Sequence, residues 1–280
     1  MDVVREALGT AVRNAVVGPN AARRQAELID GTGERWFPEG SPIHVVHADS
    51  SMFVGGLRAL LFQSLHPLAM AGVATHSDYR ADPWGRLQRT ADFLAATTFG
   101  PAVESERAIA RVHAVHRRVT GVASDGRPYS ANDPHLLAWV HLAEIDSFIT
   151  AHARYGSQPL DQAGYDTYVA QTARVAAALG VVAPPTNQFE LAEQLQAYRP
   201  ELHGTREARQ AAQYLLIRPP LPIAARPFYG ALGAAAVSMM PTWTRWELRL
   251  PWLPVSEAIV ARPLGDAMTR TIRWALRPAA

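Results

Sequence analysis

The stretch RVHAVHRRVTG, residues 111–121, indicates most directly how this chain folds. Its apolar residues Val112 and Val119 continue a stripe from Ile109, and His116 completes that stripe at spacings of 3, 4 and 3 residues. This periodicity predicts an α-helix whose apolar side carries the imidazole of His116 into the protein. A core-facing imidazole is costly unless it has a partner, and a metal ion is one such partner. A structural, hydrogen-bonded histidine is the alternative.

Helical patterns of this kind cover almost the whole chain. Asp82 and Asp133 are each followed by proline, a combination of cap and first-turn residue that starts helices. The predicted helices cover residues 1–17, 20–30, 57–76 (with a kink at Pro67), 82–100, 101–121, 133–155, 162–179, 188–198, 204–216, 224–239 and 256–276. A short extended piece is predicted within residues 44–53, and no alternation indicates a longer strand. We therefore predict one all-α domain over residues 1–280.

Composition restricts the chemistry of any site. The chain has 280 residues, of which 48% are hydrophobic, and this suffices for a large core. Because it has no cysteine, disulfides, iron–sulfur clusters, zinc–thiolate sites and thiolate-bound haem are excluded, and a metal must be held by His, Asp, Glu or Tyr. The net charge of +2 comes from 27 basic and 25 acidic residues that are interspersed, so no nucleic acid is expected as a partner.

The sequence predicts a cytoplasmic protein. Its N-terminus lacks the apolar core of a signal peptide, and no window of about 18 residues is continuously apolar. The stretch 228–240 is apolar but too short to span a bilayer, and the wider region 228–252 permits peripheral contact with a membrane surface. The sequence leaves the oligomeric state open, a homodimer included.

Two further groups of residues are candidates for a binding site. Arg86, Arg89 and Thr90 fall in the first turns of the helix that begins at residue 82, where arginines oppose the helix dipole. Their placement indicates an anionic partner, and a solvated arginine surface is the alternative. His141 shares an apolar helix face with Ile145, so we expect it to be buried in a structural or supporting role.

A metal site without haem is a second interpretation of the histidines. His113 lies three residues before His116, and His141 or Asp146 would complete the set of ligands. The pair lacks the carboxylates at matched helical spacing that zinc or di-iron helical sites need. A weaker metal candidate is the group at residues 44–49, which has two histidines and one aspartate.

The order of several short motifs resembles the oxygenase family that includes the mycophenolate-pathway oxygenase MpaB and the bacterial latex-clearing proteins. The matching pieces, between residues 57 and 155, are Leu65-His66-Pro67, Arg86-x-x-Arg89-Thr90, Val112-x-x-x-His116-x-x-Val119-x-Gly121, Tyr129-x-x-x-Asp133-Pro134, Leu137-x-Trp139-Val140-His141 and Asp146-Ser147-Phe148. Their common order and spacing is far more specific than any single motif.

The resemblance implies an α-helical, globin-like core that binds haem b, with iron as its metal. It assigns the proximal ligand of the iron to His116. It places Arg86, Arg89 and Thr90 on the opposite, distal side, where they would hydrogen-bond O2 or a haem propionate.

The resemblance also implies a pocket and a class of substrate. His66 and His141 would line the haem pocket and orient the site. Members of the family oxidise or cleave C=C bonds of isoprenoid chains, so the implied reactants are O2 and an apolar, isoprenoid or lipid-like molecule. A haem-free helical protein that binds an apolar ligand is the alternative within the same fold.

Two positions depart from the family pattern. Arg89 stands where the latex-clearing branch has a lysine that can occupy the sixth iron position, and arginine offers no lone pair. The sixth position would therefore be open, filled by water or taken by a group such as His66 or His76. No glutamate lies between Leu57 and Trp84 to act as the base of that branch. These departures favour a lipid or secondary metabolite smaller than rubber.

Overall fold

The computed structural model describes residues 2–16, 18, 26–28, 31–77 and 81–277. It confirms the all-α class, since helices dominate these residues. The helices are α1 (Asp2–Val16), α2 (Pro42–Ala48), α3 (Met52–Gln63), α4 (Pro67–His76), α5 (Pro83–Phe99), α6 (Ala102–His116), α7 (Pro134–Tyr155), α8 (Gln162–Ala178), α9 (Gln188–Tyr198), α10 (Arg206–Ile217), α11 (Arg226–Ser238), α12 (Thr242–Leu248), α13 (Pro254–Ser256) and α14 (Arg262–Leu276).

Three short turns connect the later helices. Two are 3₁₀ turns, Arg199–Glu201 after α9 and Ile223–Ala225 before α11, and a π turn at Glu257–Ala261 joins α13 to α14. The predicted helix at residues 20–30 lies largely outside the described residues. None of the helices in the described ranges is long and apolar enough to cross a membrane.

The core is centred on α3 and α7, which pack side by side. Gly55 permits this close approach, because a Cβ there would lie 3.0 Å from the Phe148 ring and 3.2 Å from the Cβ of Ala151. Trp139 of α7 is fully buried, and its indole N–H donates to the carbonyl of Gln63 at the end of α3 (3.0 Å). The large apolar area and the satisfied indole fix the start of α7 against the end of α3.

The predicted helix over residues 57–76 is wrong in its bounds. The chain forms two helices there, and Pro67 opens the second one, α4. Proline has no N–H to donate and disfavours a helical conformation in the residue before it, so the chain breaks where a kink was predicted. His66 is accordingly extended (φ −85°, ψ 115°), and its Nδ1 lies 3.5 Å from the N–H of Ala69 as a cap of α4.

The extended piece predicted within residues 44–53 is also wrong. The chain is helical there, in α2 and the start of α3, because Ile43 and Val46 are both buried on one side of a helix. The helix predicted to reach Gly121 ends five residues earlier. After it come two short strands that the sequence did not reveal, β1 (Thr120–Val122) and β2 (Pro128–Ser130), paired antiparallel.

Helices α5 and α6 form an antiparallel pair joined at residues 100–101. An ion pair between Arg111 and Asp92 (3.8 Å) shows that these two residues lie at the same level along the two helices. At equal rise per residue, His116 at the end of α6 lies level with about residue 87 of α5. The fold thus brings the first turns of α5, which contain Arg86, to the end of α6.

Candidate functional site

His116 is the last residue of α6, and its side chain is half-buried. In the described part of the chain, its ring has no hydrogen-bond partner. Burial, and to a smaller extent the imidazole of His113, lowers the pKa of His116, so the ring is neutral near pH 7. A neutral imidazole with a free nitrogen can donate its lone pair to a metal. His113 differs, because its Nε2 lies 3.3 Å from the carbonyl oxygen of Ala178.

The predicted motif on α5 lies beside this end of α6. Arg86 is half-buried and donates from Nη1 to the hydroxyl of Ser77 (2.6 Å). Arg89 is 69% exposed, and its Nη1 lies 3.1 Å from the carboxylate of Asp82. The hydroxyl of Thr90 donates to the carbonyl of Arg86 (3.1 Å). Two guanidinium groups are therefore close to the end of α6, and the outer one is in contact with solvent.

One side of α7 carries two titratable groups that lack partners. Among the residues with described positions, the buried Nε2 of His141 has no hydrogen bond, and none is seen for Glu144 one turn later. Burial lowers the pKa of His141 to about 4 and raises the pKa of Glu144 to about 7. Both side chains nevertheless keep some exposed area. The two side chains are thus largely buried but partly accessible on one side of α7, and this neighbourhood of His141 and Glu144 is called the recess below.

The recess lies at the same end of the helical core as His116. The ring of His113 on α6 contacts the carbonyl of Ala178 at the end of α8. Just beyond α8, a Cβ at Gly180 would lie 3.8 Å from a methyl group of Leu137, which is one turn before His141 on α7. The ends of α6 and α8 and the first turns of α7 therefore meet at this place.

Asp146 is engaged elsewhere and does not support the metal site without haem. Its carboxylate lies 2.8 Å from Nη2 of Arg58, a side chain only 4% exposed. Arg58 also donates to the hydroxyl of Ser147 (2.7 Å), so this ion pair is a hydrogen-bonded part of the core. Across the described residues, no three metal-binding side chains that include His116 converge on one point.

The weaker candidate at residues 44–49 is not assembled as a metal site either. Both ring nitrogens of His47 have hydrogen-bond partners, the hydroxyls of Thr98 (2.8 Å) and Tyr168 (3.1 Å). Asp49 forms an ion pair with an arginine of α14 (3.0 Å). These side chains connect helices of the core and leave no nitrogen or oxygen directed to a common ligand.

His66 lies at the opposite end of α4 from the neighbourhood of His116. The last residue of α4, His76, hydrogen-bonds the carbonyl of Thr120 just beyond α6 (3.1 Å). His66 precedes this ten-residue helix, which puts it roughly 15 Å away along the helix axis. The structure therefore brings His141 and the α5 motif towards His116, and it places His66 in a separate group.

That group, the His–Glu cluster, consists of His66, His135 and Glu201. Nε2 of His66 lies 3.3 Å from Oε2 of Glu201, and Nε2 of His135 lies 3.0 and 2.9 Å from the two carboxylate oxygens. The hydroxyl of Tyr198 donates to the carbonyl of His135 (2.7 Å) and lies 3.1 Å from its Nδ1. His135 and Glu201 were not predicted as site residues, because more than sixty residues separate successive members of the cluster and no local motif marks them.

The two imidazoles of the cluster affect the ionisation of Glu201. Burial alone would raise the pKa of Glu201, but the hydrogen bond and charge of His135, and then those of His66, lower it. Burial lowers the pKa of His66, and Glu201 opposes that effect. The carboxylate is therefore ionised at neutral pH between two imidazoles.

The side chains near His116 fit a b-type haem in their chemistry. A haem needs one neutral imidazole as an iron ligand and cationic groups for its propionates. His116 is neutral and without a partner, and Arg86 and Arg89 are the nearby cations. In the described residues, the buried Nε2 of His141 also has no hydrogen-bond partner, so it can bond to a polar ligand.

Comparisons with known proteins place these residues in a wider context. The family model described as ER-bound oxygenase mpaB/B'/rubber oxygenase, catalytic domain, matches residues 44–274. An uncharacterized protein of Mycobacterium tuberculosis and one of Mycobacterium bovis are each 35% identical over 102 residues, which cover 35% of this chain and 38% of the length of each relative. No solved structure matches the chain significantly. The globin-like arrangement therefore stays a prediction.

Proposed function

This chain belongs to the mpaB and rubber oxygenase catalytic-domain family, and from that membership we propose that it is a haem b-dependent oxygenase. The proposed reaction uses O2 to oxidise an apolar, isoprenoid or lipid-like small molecule. The family supports an enzyme of the oxygenase class. We propose in addition that the cofactor is haem, that the substrate is apolar and that the residues below have the roles given.

The observation that carries the proposal is the state of His116. Its ring is half-buried, is neutral at pH 7 and has no hydrogen-bond partner in the described ranges. A neutral imidazole with a nitrogen that no protein group occupies can donate its lone pair, and haem iron accepts such a lone pair.

The residues around His116 have separate roles in this proposal. When bound, haem supplies an iron centre that uses O2 as oxidant. His116 holds the iron, and Arg86 and Arg89 bind the propionates. Thr90 directs its hydroxyl to the carbonyl of Arg86, and it can turn this hydroxyl to a polar ligand by rotation about one bond.

Glu144 is the group in the recess that can hold or release a proton. Its pKa of about 7, raised by burial, means that both forms of the carboxyl are populated at neutral pH. Residues 57–84 contain no glutamate that could serve as the family's base. We assign proton transfer in the recess to the carboxyl oxygens of Glu144, and orientation of the bound molecules to Nε2 of His141.

The test is the absorption spectrum of the purified, haem-reconstituted chain. We expect a Soret band that shifts or is lost in His116→Gly and that returns when free imidazole is added, since imidazole can fill the space of the deleted ring. His113→Ala, one turn earlier on α6, is the matched control and should leave the band unchanged. A band that is identical in wild type and His116→Gly contradicts the assignment of the iron ligand. The absence of haem binding, with retention of an apolar ligand, would favour the haem-free binding protein.

Exposed apolar side chains near the C-terminus support peripheral membrane contact by the same enzyme. Trp246 is 73% exposed, Trp252 54% and Ile259 69%, and all three lie within α12 to the π turn before α14. Aromatic side chains of this kind partition into the membrane interface. We expect co-sedimentation with vesicles of anionic phospholipid that decreases in the Trp246→Ser/Trp252→Ser double variant. If the wild-type chain stays in the supernatant and elutes as a homodimer, the apolar side chains instead form a contact between two copies.

A further inference from the structure

The His–Glu cluster joins three distant parts of the chain at one point. His66 precedes α4, His135 is in the first turn of α7, and Glu201 ends the 3₁₀ turn after α9. We propose that these three side chains form a binding site for a divalent transition-metal ion, zinc by ligand preference, separate from the site of His116. Two imidazoles and one carboxylate are a known ligand set for zinc.

The distances in the cluster suit a metal ion of this size. The ligand atoms of all three side chains lie within 4.8 Å of one another. A tetrahedral zinc ion with bonds of about 2.0–2.1 Å places its ligand atoms roughly 3.3 Å apart. The distance between Nε2 of His66 and Oε2 of Glu201 is 3.3 Å already. Nε2 of His135 lies 2.9–3.0 Å from the carboxylate oxygens, and it lies within 4.8 Å of the ligand atom of His66. A side-chain adjustment of up to about 1.5 Å gives the spacing of a tetrahedral site.

The hydrogen bonds of Tyr198 select the protonation form of His135 that binds metals. The Tyr198 hydroxyl donates its proton to the carbonyl of His135, so its oxygen accepts a hydrogen bond from Nδ1–H. In a neutral ring, Nε2 then carries a lone pair that faces the ionised carboxylate of Glu201. Two acceptors at 2.9 Å repel each other unless a cation lies between them. That cation is either a proton on His135 or a metal ion. A partner that fixes the ring through Nδ1 is typical of metal-binding histidines.

His66 supplies the buried ligand of the site. Its side chain is 1% exposed. Its Nδ1 accepts only a long contact of 3.5 Å from the N–H of Ala69, so the proton can move from Nε2 to Nδ1 when a metal binds, at small cost. Metal binding at Nε2 therefore leaves the proton of the His66 ring on Nδ1.

The outer side of the cluster has room for a fourth ligand. A cavity of about 430 Å³ adjoins His135 and Tyr198 and is also lined by Pro134, Ala138 and Gln194. His135 is 52% exposed and Glu201 38%. Zinc sites with three protein ligands hold water or a small molecule in the fourth position. Solvent reaches the cluster through the exposed sides of His135 and Glu201. A carboxylate or hydroxamate compound is the class of ligand that such a zinc ion would bind in that position.

The experiment is a calorimetric titration of the full, tag-free chain with zinc chloride after removal of metals by a chelator. We expect one zinc ion per chain with a Kd on the order of 1 µM or lower, and no comparable binding of Mg²⁺. His135→Gln and Glu201→Gln should each weaken zinc binding by about 100-fold, since each removes a ligand. Tyr198→Phe, which keeps all ligands but releases Nδ1 of His135, should weaken it by about tenfold.

Two variants separate this proposal from other sites. His203→Ala removes an exposed imidazole two residues after Glu201 and should leave the zinc affinity unchanged. His116→Ala should also bind zinc normally, so the metal and haem proposals succeed or fail independently. The proposal is overturned if wild type shows no saturation by ~100 µM zinc, or if the ligand variants bind as well as His203→Ala does. Should the ligand variants not fold, the zinc K-edge absorption spectrum of the wild-type chain decides, because it must show two imidazole nitrogens.

Discussion

The recess and the His–Glu cluster contain the same types of side chain in opposite states. In the cluster, Glu201 is hydrogen-bonded to both imidazoles, and its pKa is lowered by them. In the recess, His141 and Glu144 are on one side of α7 but lack partners in the described chain, and burial shifts both pKa values towards the neutral forms. The carboxylate of the cluster has hydrogen-bond partners within the fold, whereas the two unpartnered groups of the recess decrease the stability of the fold.

This difference indicates where the chain is adapted to a ligand at the expense of stability. Unpaired titratable groups in a recess are typical of functional sites, because the fold is not their partner. Paired groups stabilise the fold. They can bind a metal ion only when that ion replaces the proton between them. Substitution of an unpaired group in the recess should therefore increase the stability of the folded chain, and substitution of a paired group should decrease it. The following predictions test this contrast.

The largest effect is expected at Asp146, a paired carboxylate two residues after Glu144 on the same helix. Its partner Arg58 is 4% exposed on the side chain. Asp146→Ala leaves that guanidinium buried without a counter-charge, so we expect a loss of about 3–5 kcal/mol in the free energy of unfolding. Urea denaturation followed by circular dichroism measures this loss.

Two controls make the Asp146 result specific. Asp125→Ala removes an exposed ion pair with Arg127 in the hairpin turn and should cost less than about 1 kcal/mol. The double variant Arg58→Met/Asp146→Leu replaces both charges and should recover most of the loss. Equal losses in Asp146→Ala and Asp125→Ala would contradict a buried, hydrogen-bonded pair.

The unpaired carboxyl of Glu144 should behave in the opposite way. Its pKa is raised from 4.5 to about 7 in the folded chain, so the folded state holds this proton more tightly than the unfolded state. Rising pH between about 4.5 and 7 therefore favours unfolding, and the cost stays constant above pH 7. Glu144→Gln removes it, and we expect about 3 kcal/mol more stability at pH 8 than in wild type, but no gain at pH 4.

The pH profile also reports on His141. Its pKa is lowered from 6.5 to about 4 in the folded chain, so the unfolded state binds more protons and stability rises with pH between about 4 and 6.5. In wild type this slope is nearly cancelled by the opposite slope of Glu144. In Glu144→Gln the stability should therefore increase with pH over this range. Glu193→Gln, an exposed control, should match wild type at every pH. A parallel shift of the Glu144→Gln profile at all pH values would contradict a titration effect.

The sequence predicts the helical class well, because the apolar periodicity is a local property that burial preserves. It fails at residues 57–76 and 44–53, where the decision depends on Pro67 and on the burial of Ile43 and Val46 by other helices. The short β1–β2 pair was not visible, since three-residue strands show no alternation. Local patterns therefore give the elements, and packing sets their ends.

The residues of the two sites also differ in how well the sequence predicts them. His116, His141 and the α5 arginines belong to motifs that are short, ordered and recognisable, and the structure brings them towards one end of the core. Their roles stay predictions. Glu201 and His135 meet only through the packing of α9 on α7, and no spacing rule connects positions 66, 135 and 201.

A smaller gain is expected at His141. In the described residues its buried Nε2 has no partner, which costs about 1–3 kcal/mol. His141→Leu replaces the ring by an apolar side chain of similar size, so we expect about 1–2 kcal/mol more stability at pH 7 in the chain without added ligand. His203→Leu, at an exposed position, should leave stability unchanged. A loss of stability in His141→Leu would show that the nitrogen has a partner, such as a bound water.

The smallest effect is expected at Tyr198, whose hydroxyl belongs to the paired region. Tyr198→Phe removes one hydrogen bond to the carbonyl of His135 (2.7 Å) and one from its Nδ1 (3.1 Å), so we expect a loss of about 1 kcal/mol. The sharper readout is nitrogen NMR of the metal-free chain at alkaline pH. With Tyr198 present the proton should reside on Nδ1, and in the variant it should move to Nε2, which then donates to Glu201. An unchanged tautomer would mean that Glu201 alone orients the His135 ring. His135 would then differ from the unpartnered His141 only through its bond to the Glu201 carboxylate.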